Sequence, residues 1–413
     1  MNPICSEISW KYQKNKPFIE TFLFRNAPGF VYKEKTPELE GEIPVFTFHM
    51  AHPDWFEAQC LYISENGYKT LDADEFLYTL ASPPGRQVKK TVLLTFDDGL
   101  KHVWTVAFPL LKKYNLKATC FLIPGCIPQG NHRIRPTLED YWRGEASIGE
   151  IITLDGDDSP LATWEEIKAM HESGVIDFQS HTMYHSLVFT SNDIFDFIHP
   201  GYDSYFYGNI HVPLYTESGK DVVTREAILG MPIYFAKPRM SATRRYFDDE
   251  GIRNRCVHIV ENNGAENFFA KKNWRRILRK EISGYRERAN VKERYEEPGE
   301  RDRVIFEELR ESKGMIEEKL PGKKVTHLCY PWYEAEDFAV RISREAGFET
   351  NFFGQLRGRP TNRPGDDPFR IVRVEGLFLQ RLPGPKRASI REVLKKAFNL
   401  KGIYKSLETA AKE

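Results

Sequence analysis

The chain has 413 residues, of which 41% are hydrophobic and 13% aromatic, with Lys+Arg and Asp+Glu each 59 and a formal net charge of zero. This exceeds one average domain, supplies a large core, and gives no general basic field for a nucleic-acid partner. No run is apolar enough to span a bilayer, and six cysteines without a CxxC pair, with no signal-like run before Trp10, predict a reduced, cytoplasmic protein.

In chain order, residues 1–40 read as a polar, Pro-containing arm, followed by an α/β core over 41–190 that resumes at 325–380. The strand-like run Ile43–Phe48 ends on His49, with His52 three residues on. The run VLLTFDDGL, Val92–Leu100, brings Asp97 and Asp98 to the C-terminal lip of a strand and turns on Gly99, which is where α/β folds build active sites. Neighbouring residues of an ending strand diverge, so one carboxylate can ligate a metal while the other stays free as a base. The same pair could also be an N-cap for a helix over 101–114.

A second strand-like run, Gly174–Phe178, leads into SHTMYH, Ser180–His185. Four-residue spacing places His181 and His185 on one side of a helical turn or helix-like loop, within reach of one cation. Two imidazoles and a carboxylate form a common hydrolytic metal set that leaves a position for water. A single strand-end His is more often an ordinary polar residue; the Asp-Asp pair at another strand end is what favours a metal here.

Residues 191–324 are too long for a connection and must carry structure of their own, mostly helical. Their aromatics Phe195, Phe197, Tyr202, Tyr205, Phe206 and Tyr207 could stack on sugar rings, although a small core of their own is the commoner use. The basic run Lys271, Lys272, Arg275, Arg276, Arg279 and Lys280 could meet the phosphate of a lipid-linked or nucleotide-linked sugar, or be a solvated helix face. Over 381–413, Ile390, Val393, Leu394, Ala397 and Phe398 fall at helical spacing among basic residues: an amphipathic helix that docks on the barrel or makes peripheral contact with a membrane.

TFDDG, SHTMYH and the intervening FPLLKKYNLKATCFLIPG and LATWEEIKAMHESG resemble the polysaccharide deacetylase family, carbohydrate esterase family 4, also called the chitooligosaccharide deacetylase homology domain. The resemblance implies a distorted (β/α) barrel, Asp97 as catalytic base, and Asp98, His181 and His185 as ligands of a divalent metal. CYPWY, Cys329–Tyr333, resembles the family's groove-lining turn, with the Tyr330 backbone N–H on the oxyanion and Pro331 and Trp332 lining the groove; the usual following Gly is absent. No His follows His327, so the family's C-terminal acid is missing. The poly-N-acetylglucosamine deacetylase branch resembles a circular permutation, and IPVFTFH with WFEAQCLYISENGYKTL matches its N-terminal strand. That makes His49 the candidate acid, facing Asp97 across the pocket, with His52 its rival. The run Phe369–Val374 resembles the late strand whose Arg pairs with the base, and Arg373 fits best.

The expected activity is metal-dependent hydrolysis of the N-acetyl group of an N-acetylated glycan, giving acetate and an amino sugar. Zinc is the default metal, and cobalt, nickel or iron fit the same donors. The alternatives are a non-sugar linear or cyclic amide on the same fold, or a non-catalytic saccharide-binding protein. Oligomeric state is not legible.

Overall fold

The computed structural model describes residues 26–395 except 36–37, 40, 86–87, 131–133, 153–158, 203–212, 218–219 and 223–227. The chain forms two compact units. One contains His185–Glu307 and Glu334–Ile342; the other holds the described residues up to Tyr184 with Glu308–Tyr333 and those from Ser343 onward. The first therefore starts ahead of the boundary expected at 191 and takes in a short later segment. The helix Pro298–Lys319 carries the chain through the second boundary.

The larger unit is built on an eight-stranded parallel sheet. Its first strands are β1 (Val45–Phe48), β2 (Lys69–Leu71), β3 (Thr91–Phe96), β4 (Ala118–Leu122) and β5 (Ile176–Ser180). The order runs Thr350–Phe352, His327–Cys329, β5, β4, β3, β1, Val374–Glu375, with β2 also paired to β3. Strands covered on both faces read as nearly continuous apolar runs, and β4 is buried throughout. Helices enter with local signals: Asp72 and Glu75 form a capping box ahead of Ala73–Leu80, and Thr163 and Glu166 do so ahead of Trp164–Glu172.

The segment after Arg370 closes the sheet. Ile371 donates to Asn351 O at 3.0 Å and Phe353 to Ile371 O at 2.8 Å on one side. On the other, Val374 and Glu375 pair with Phe46 and Thr47 of β1. One short stretch thus bonds both sheet ends, giving a distorted barrel. The expected strand over 369–374 is shifted: Pro368–Arg370 is a 3-10 turn capped by Asp367, and the strand begins at Val374. Inside the barrel, Ile43, Val45, Leu93, Phe121, Cys329, Phe352 and Ile371 pack in one cluster.

The smaller unit begins with an antiparallel pair, Leu187–Phe197 and Pro232–Pro238, followed by helices Glu250–Asn262 and Trp274–Ala289. Helix therefore dominates its later part, while strands organise the earlier one. Phe197 is buried with Cys256, Trp274 and Leu278, and Phe195 and Tyr202 pack on the cluster of Phe189, Tyr215 and Tyr234. These aromatics build a core; Tyr205, Phe206 and Tyr207 lie outside the described residues. In the basic run, Arg275 holds Asp196 with two hydrogen bonds of 2.8 and 2.9 Å, and Arg279 donates to Phe195 O. Lys272, Arg276 and Lys280 are exposed. Residues 390–395 are helical, with Val393 buried and Ser389 capped reciprocally by Glu392; Ala397 and Phe398 lie outside the described residues. Among the described residues no helix is long and apolar enough to cross a membrane.

Candidate active site

The β3 ladder extends one residue past the strand, since Asp97 N donates to Phe48 O at 2.9 Å. The chain then turns sharply, with φ of 70° at Asp98 and 75° at Gly99. A Cβ on Gly99 would stand 2.7 Å from Leu122 Cδ2, so glycine suits both the turn and the contact with β4. The turn separates the two carboxylates, both buried.

Asp97 is held by Arg373, whose Nη1 and Nη2 donate to its two oxygens at 2.7 and 2.9 Å. The guanidinium is fixed in turn by Nε donating to Phe353 O at 3.0 Å and by Thr95 Oγ1 at 3.3 Å. Burial alone would raise the Asp97 pKa; Arg373, with lesser help from His181 and His49, outweighs it and holds the carboxyl well below the usual range. Thr47 Oγ1 and Cys329 Sγ complete its surroundings at 3.5 and 3.8 Å.

Past β5, His181 N donates to Leu122 O at 2.7 Å, which continues that ladder. His181 Nδ1 lies 2.9 Å from Cys329 O. A carbonyl can only accept, so Nδ1 carries the proton and Nε2 presents its lone pair, 3.5 Å from Asp98 Oδ1. No helix joins His181 to His185; an irregular loop does, with φ of 63° at Thr182 and 53° at His185. Donor atoms of Asp98, His181 and His185, all buried, lie within 4.8 Å of one another.

The electrostatics of this cluster fit a cation. Burial pushes the His181 pKa down to about 4, against the pull of Asp97, so the ring is neutral and ligand-competent at neutral pH. Burial and the neighbouring Asp97 charge push Asp98 up to about 8. Two buried carboxylates side by side resist joint ionisation unless positive charge is supplied, and a divalent cation reverses that balance. Two imidazoles and one carboxylate make a donor set for zinc or a similar metal. Asp97, His181 and Cys329 also converge, but there Asp97 is engaged by Arg373 and burial raises the Cys329 thiol far above its ordinary value.

His49 follows β1 directly, and its Nε2 lies 4.0 Å from Asp97 Oδ2, beside the carboxylate rather than across the pocket as expected. Its side chain stays 38% exposed, which makes it more open to solvent than the buried Asp97, Asp98, His181 and His185. Desolvation lowers its pKa, Asp97 raises it and Arg373 lowers it again. His52 instead occupies the position ahead of the helix Pro53–Glu65 and accepts from Phe56 N through its carbonyl.

The turn Cys329–Tyr333 departs from expectation. Tyr330 N donates to Phe352 O at 3.0 Å, so the sheet occupies the N–H assigned to the oxyanion, and the buried Tyr330 hydroxyl bonds Asn351. Pro331 to Tyr333 form a 3-10 turn in which Trp332 and Tyr333 have φ of 60° and 66°. Tyr333, not singled out in sequence, brings its ring to 5.9 Å from His49. Cys329 was equally missed; only its place ahead of the YPWY turn could have drawn attention to it. Asp98, Thr182, His185, Trp332 and Tyr333 are five of the ten non-glycine residues with positive φ among those described. Such conformations cost roughly 1–3 kcal/mol each and gather at functional sites.

Residues 85–194 match the family model described as polysaccharide deacetylase. That stretch carries Asp97, Asp98, His181 and His185 and leaves His49, Tyr330 and Arg373 outside. Over 100 residues the chain is 36% identical to "Putative polysaccharide deacetylase YxkH" of Bacillus subtilis strain 168, covering 24% of this chain and 35% of that protein. Over 127 residues it is 28% identical to the poly-beta-1,6-N-acetyl-D-glucosamine N-deacetylase of Staphylococcus aureus strain MSSA476, covering 31% of this chain and 35% of that protein. These matches span about a third of either relative. A solved de-N-acetylase from Aggregatibacter actinomycetemcomitans superposes with a TM-score of 0.45 at 15% identity, covering 81% of this chain and 95% of that one.

Proposed function

We propose that this chain, a member of the polysaccharide deacetylase family through residues 85–194, hydrolyses the N-acetyl group of an N-acetylated sugar or oligosaccharide, releasing acetate and a free amine. The observation that carries the reading is the convergence of Asp98, His181 and His185 within 4.8 Å beside an Asp97 held by Arg373. A divalent cation held by those three residues, zinc in the first instance, would supply the Lewis acidity that polarises an amide carbonyl and acidifies water.

The protein's own groups divide the rest of the work. Asp97 stays ionised across the neutral range, and the two guanidinium bonds fix its plane, so it orients the attacking water and takes up its proton. The same ion pair makes it a weak acceptor that passes the proton on. His49, taking up the proton that Asp97 passes on, would give it to the departing amine, which leaves poorly as an anion. The Tyr330 N–H is engaged in the sheet, so a cation held by Asp98, His181 and His185 would be what supplies positive charge to the oxyanion.

The test is Asp97→Asn in metal-loaded protein, assayed for acetate release from oligomers of β-1,4- and β-1,6-linked N-acetylglucosamine. The amide keeps the carboxylate's shape but cannot accept the proton, so turnover should drop about 10²- to 10⁴-fold while bound metal is retained. Near-normal acetate release by the variant would sink the role given to Asp97.

A further inference from the structure

Tyr333 sits in a conformation that its own backbone disfavours. Its φ is 66°, it follows Trp332 at 60°, and no glycine relieves either position. The turn is fastened by Tyr333 N donating to Tyr330 O at 3.3 Å and Gly354 N donating to Tyr333 O at 3.0 Å. A Cβ on Gly354 would lie 2.6 Å from the Tyr333 Cβ, so this loop seats only against a glycine. Strain of this kind persists where the surroundings over-determine it.

The strained loop delivers one ring to one place. The Tyr333 ring meets the His49 ring edge-on, with centroids 5.9 Å apart and planes at 74°. Its face lies 5.3 Å from the Arg373 guanidinium carbon, the group that holds Asp97. Its hydroxyl donates to Glu375 Oε1 at 3.4 Å, and Glu375 is paired to Thr47 of β1, two residues before His49. The anchor of the ring and the base of the histidine therefore belong to the same pair of strands.

We infer that Tyr333 is the positioning residue for His49: its ring holds the imidazole beside Asp97, and the strained loop seated on Gly354 holds the ring, with the long hydroxyl bond to Glu375 only a minor tie. Tyr333 touches no reacting atom in this scheme; it acts through His49. The inference rests on the reading of His49 as proton donor, so its test includes a measurement independent of turnover.

In the full chain, metal-free, the His49 imidazole is titrated by NMR, with its resonance assigned by its loss in His49→Gln. The ionisable groups facing it are Asp97, Arg373, Tyr333 and, through space, His181. Tyr333→Ala admits more water to the ring and lessens its desolvation, so His49 should titrate measurably higher than in the parent. Gly354→Ala, which displaces Tyr333, should shift it the same way. Tyr333→Phe keeps the ring and should stay near the parent value.

In the metal-loaded protein, Tyr333→Ala should lower kcat for acetate release about 10- to 100-fold with KM changed by less than about threefold, and Tyr333→Phe should recover most of that loss. An unmoved His49 titration in Tyr333→Ala, or equal loss of kcat in the Ala and Phe variants, overturns the positioning role and leaves the deacetylase reading intact. A shifted titration with no acetate released by the parent protein supports the positioning role and overturns the deacetylase reading instead.

Discussion

Arg373→Met removes the guanidinium that pairs with Asp97 and leaves a carboxylate that is 1% exposed without its partner. The lost contacts are the two bonds of 2.7 and 2.9 Å, and Phe353 O loses its donor as well. Breaking a buried ion pair from one side costs about 3–5 kcal/mol, because the remaining charge keeps its desolvation penalty. The sign with pH follows from the direction of the shift. In the parent protein the folded Asp97 pKa is depressed, so the pair stabilises the fold above the unfolded pKa of about 3.9, and this is lost as pH falls through the folded value. In the variant, burial and the nearby Asp98 push the folded pKa up, so acidification relieves the strain by protonating Asp97. The gap in stability between parent and variant should therefore be widest near neutral pH and narrow towards pH 5. Urea midpoints followed by far-UV circular dichroism between pH 5 and 8, with chelator present, would measure it. Asp97→Asn combined with Arg373→Met should restore much of the loss, giving a coupling well above 1 kcal/mol. Equal midpoints for Arg373→Met and the parent, or strict additivity in the double variant, would refute the ion pair as the element that makes buried Asp97 tolerable.

Asp98→Ala and His181→Ala should each abolish binding of about one equivalent of zinc, read by elemental mass spectrometry after dialysis; unchanged metal in both variants contradicts the ligand set. Because the Asp98 pKa stands near 8 without metal, zinc binding at pH 7 should release close to one proton, and affinity should rise with pH until about 8 and then level. Calorimetry in two buffers of different ionisation enthalpy would detect this, and a buffer-independent heat would count against it. His49→Ala should lower turnover roughly 10²- to 10⁴-fold with metal retained, whereas His52→Ala should do much less; the reverse order of sensitivity would transfer the acid role to His52.

What could be read from the chain alone is what depends on neighbours in sequence. An apolar run ending in Asp-Asp-Gly dictates a buried strand, a sharp turn and two diverging carboxylates, because side-chain alternation and the glycine turn are local properties. The spacing of His181 and His185 is likewise short enough for one loop to bring both to one point, although that loop is irregular, with positive φ at Thr182 and His185, rather than the helical turn or helix-like loop expected. Clustered aromatics in a long insertion announced a separate core, since nothing else could bury them.

Tertiary structure decided everything that depends on which strands meet. Arg373 reaches Asp97 across 276 positions because the segment from Ile371 to Glu375 closes the barrel between two sheet edges. Register along the strand His327–Cys329 gave the Tyr330 N–H to Phe352 O and so removed it from the pocket, which the motif's composition could not reveal. The ring of Tyr333 reached His49 because Gly354 lacks a Cβ, a fit between distant backbones that leaves no mark in either local sequence. Electrostatic character was decided there too: two adjacent carboxylates, chemically identical in the chain, are pushed in opposite directions because Arg373 bonds both oxygens of Asp97, whereas at Asp98 its weaker pull is outweighed by burial and the Asp97 charge.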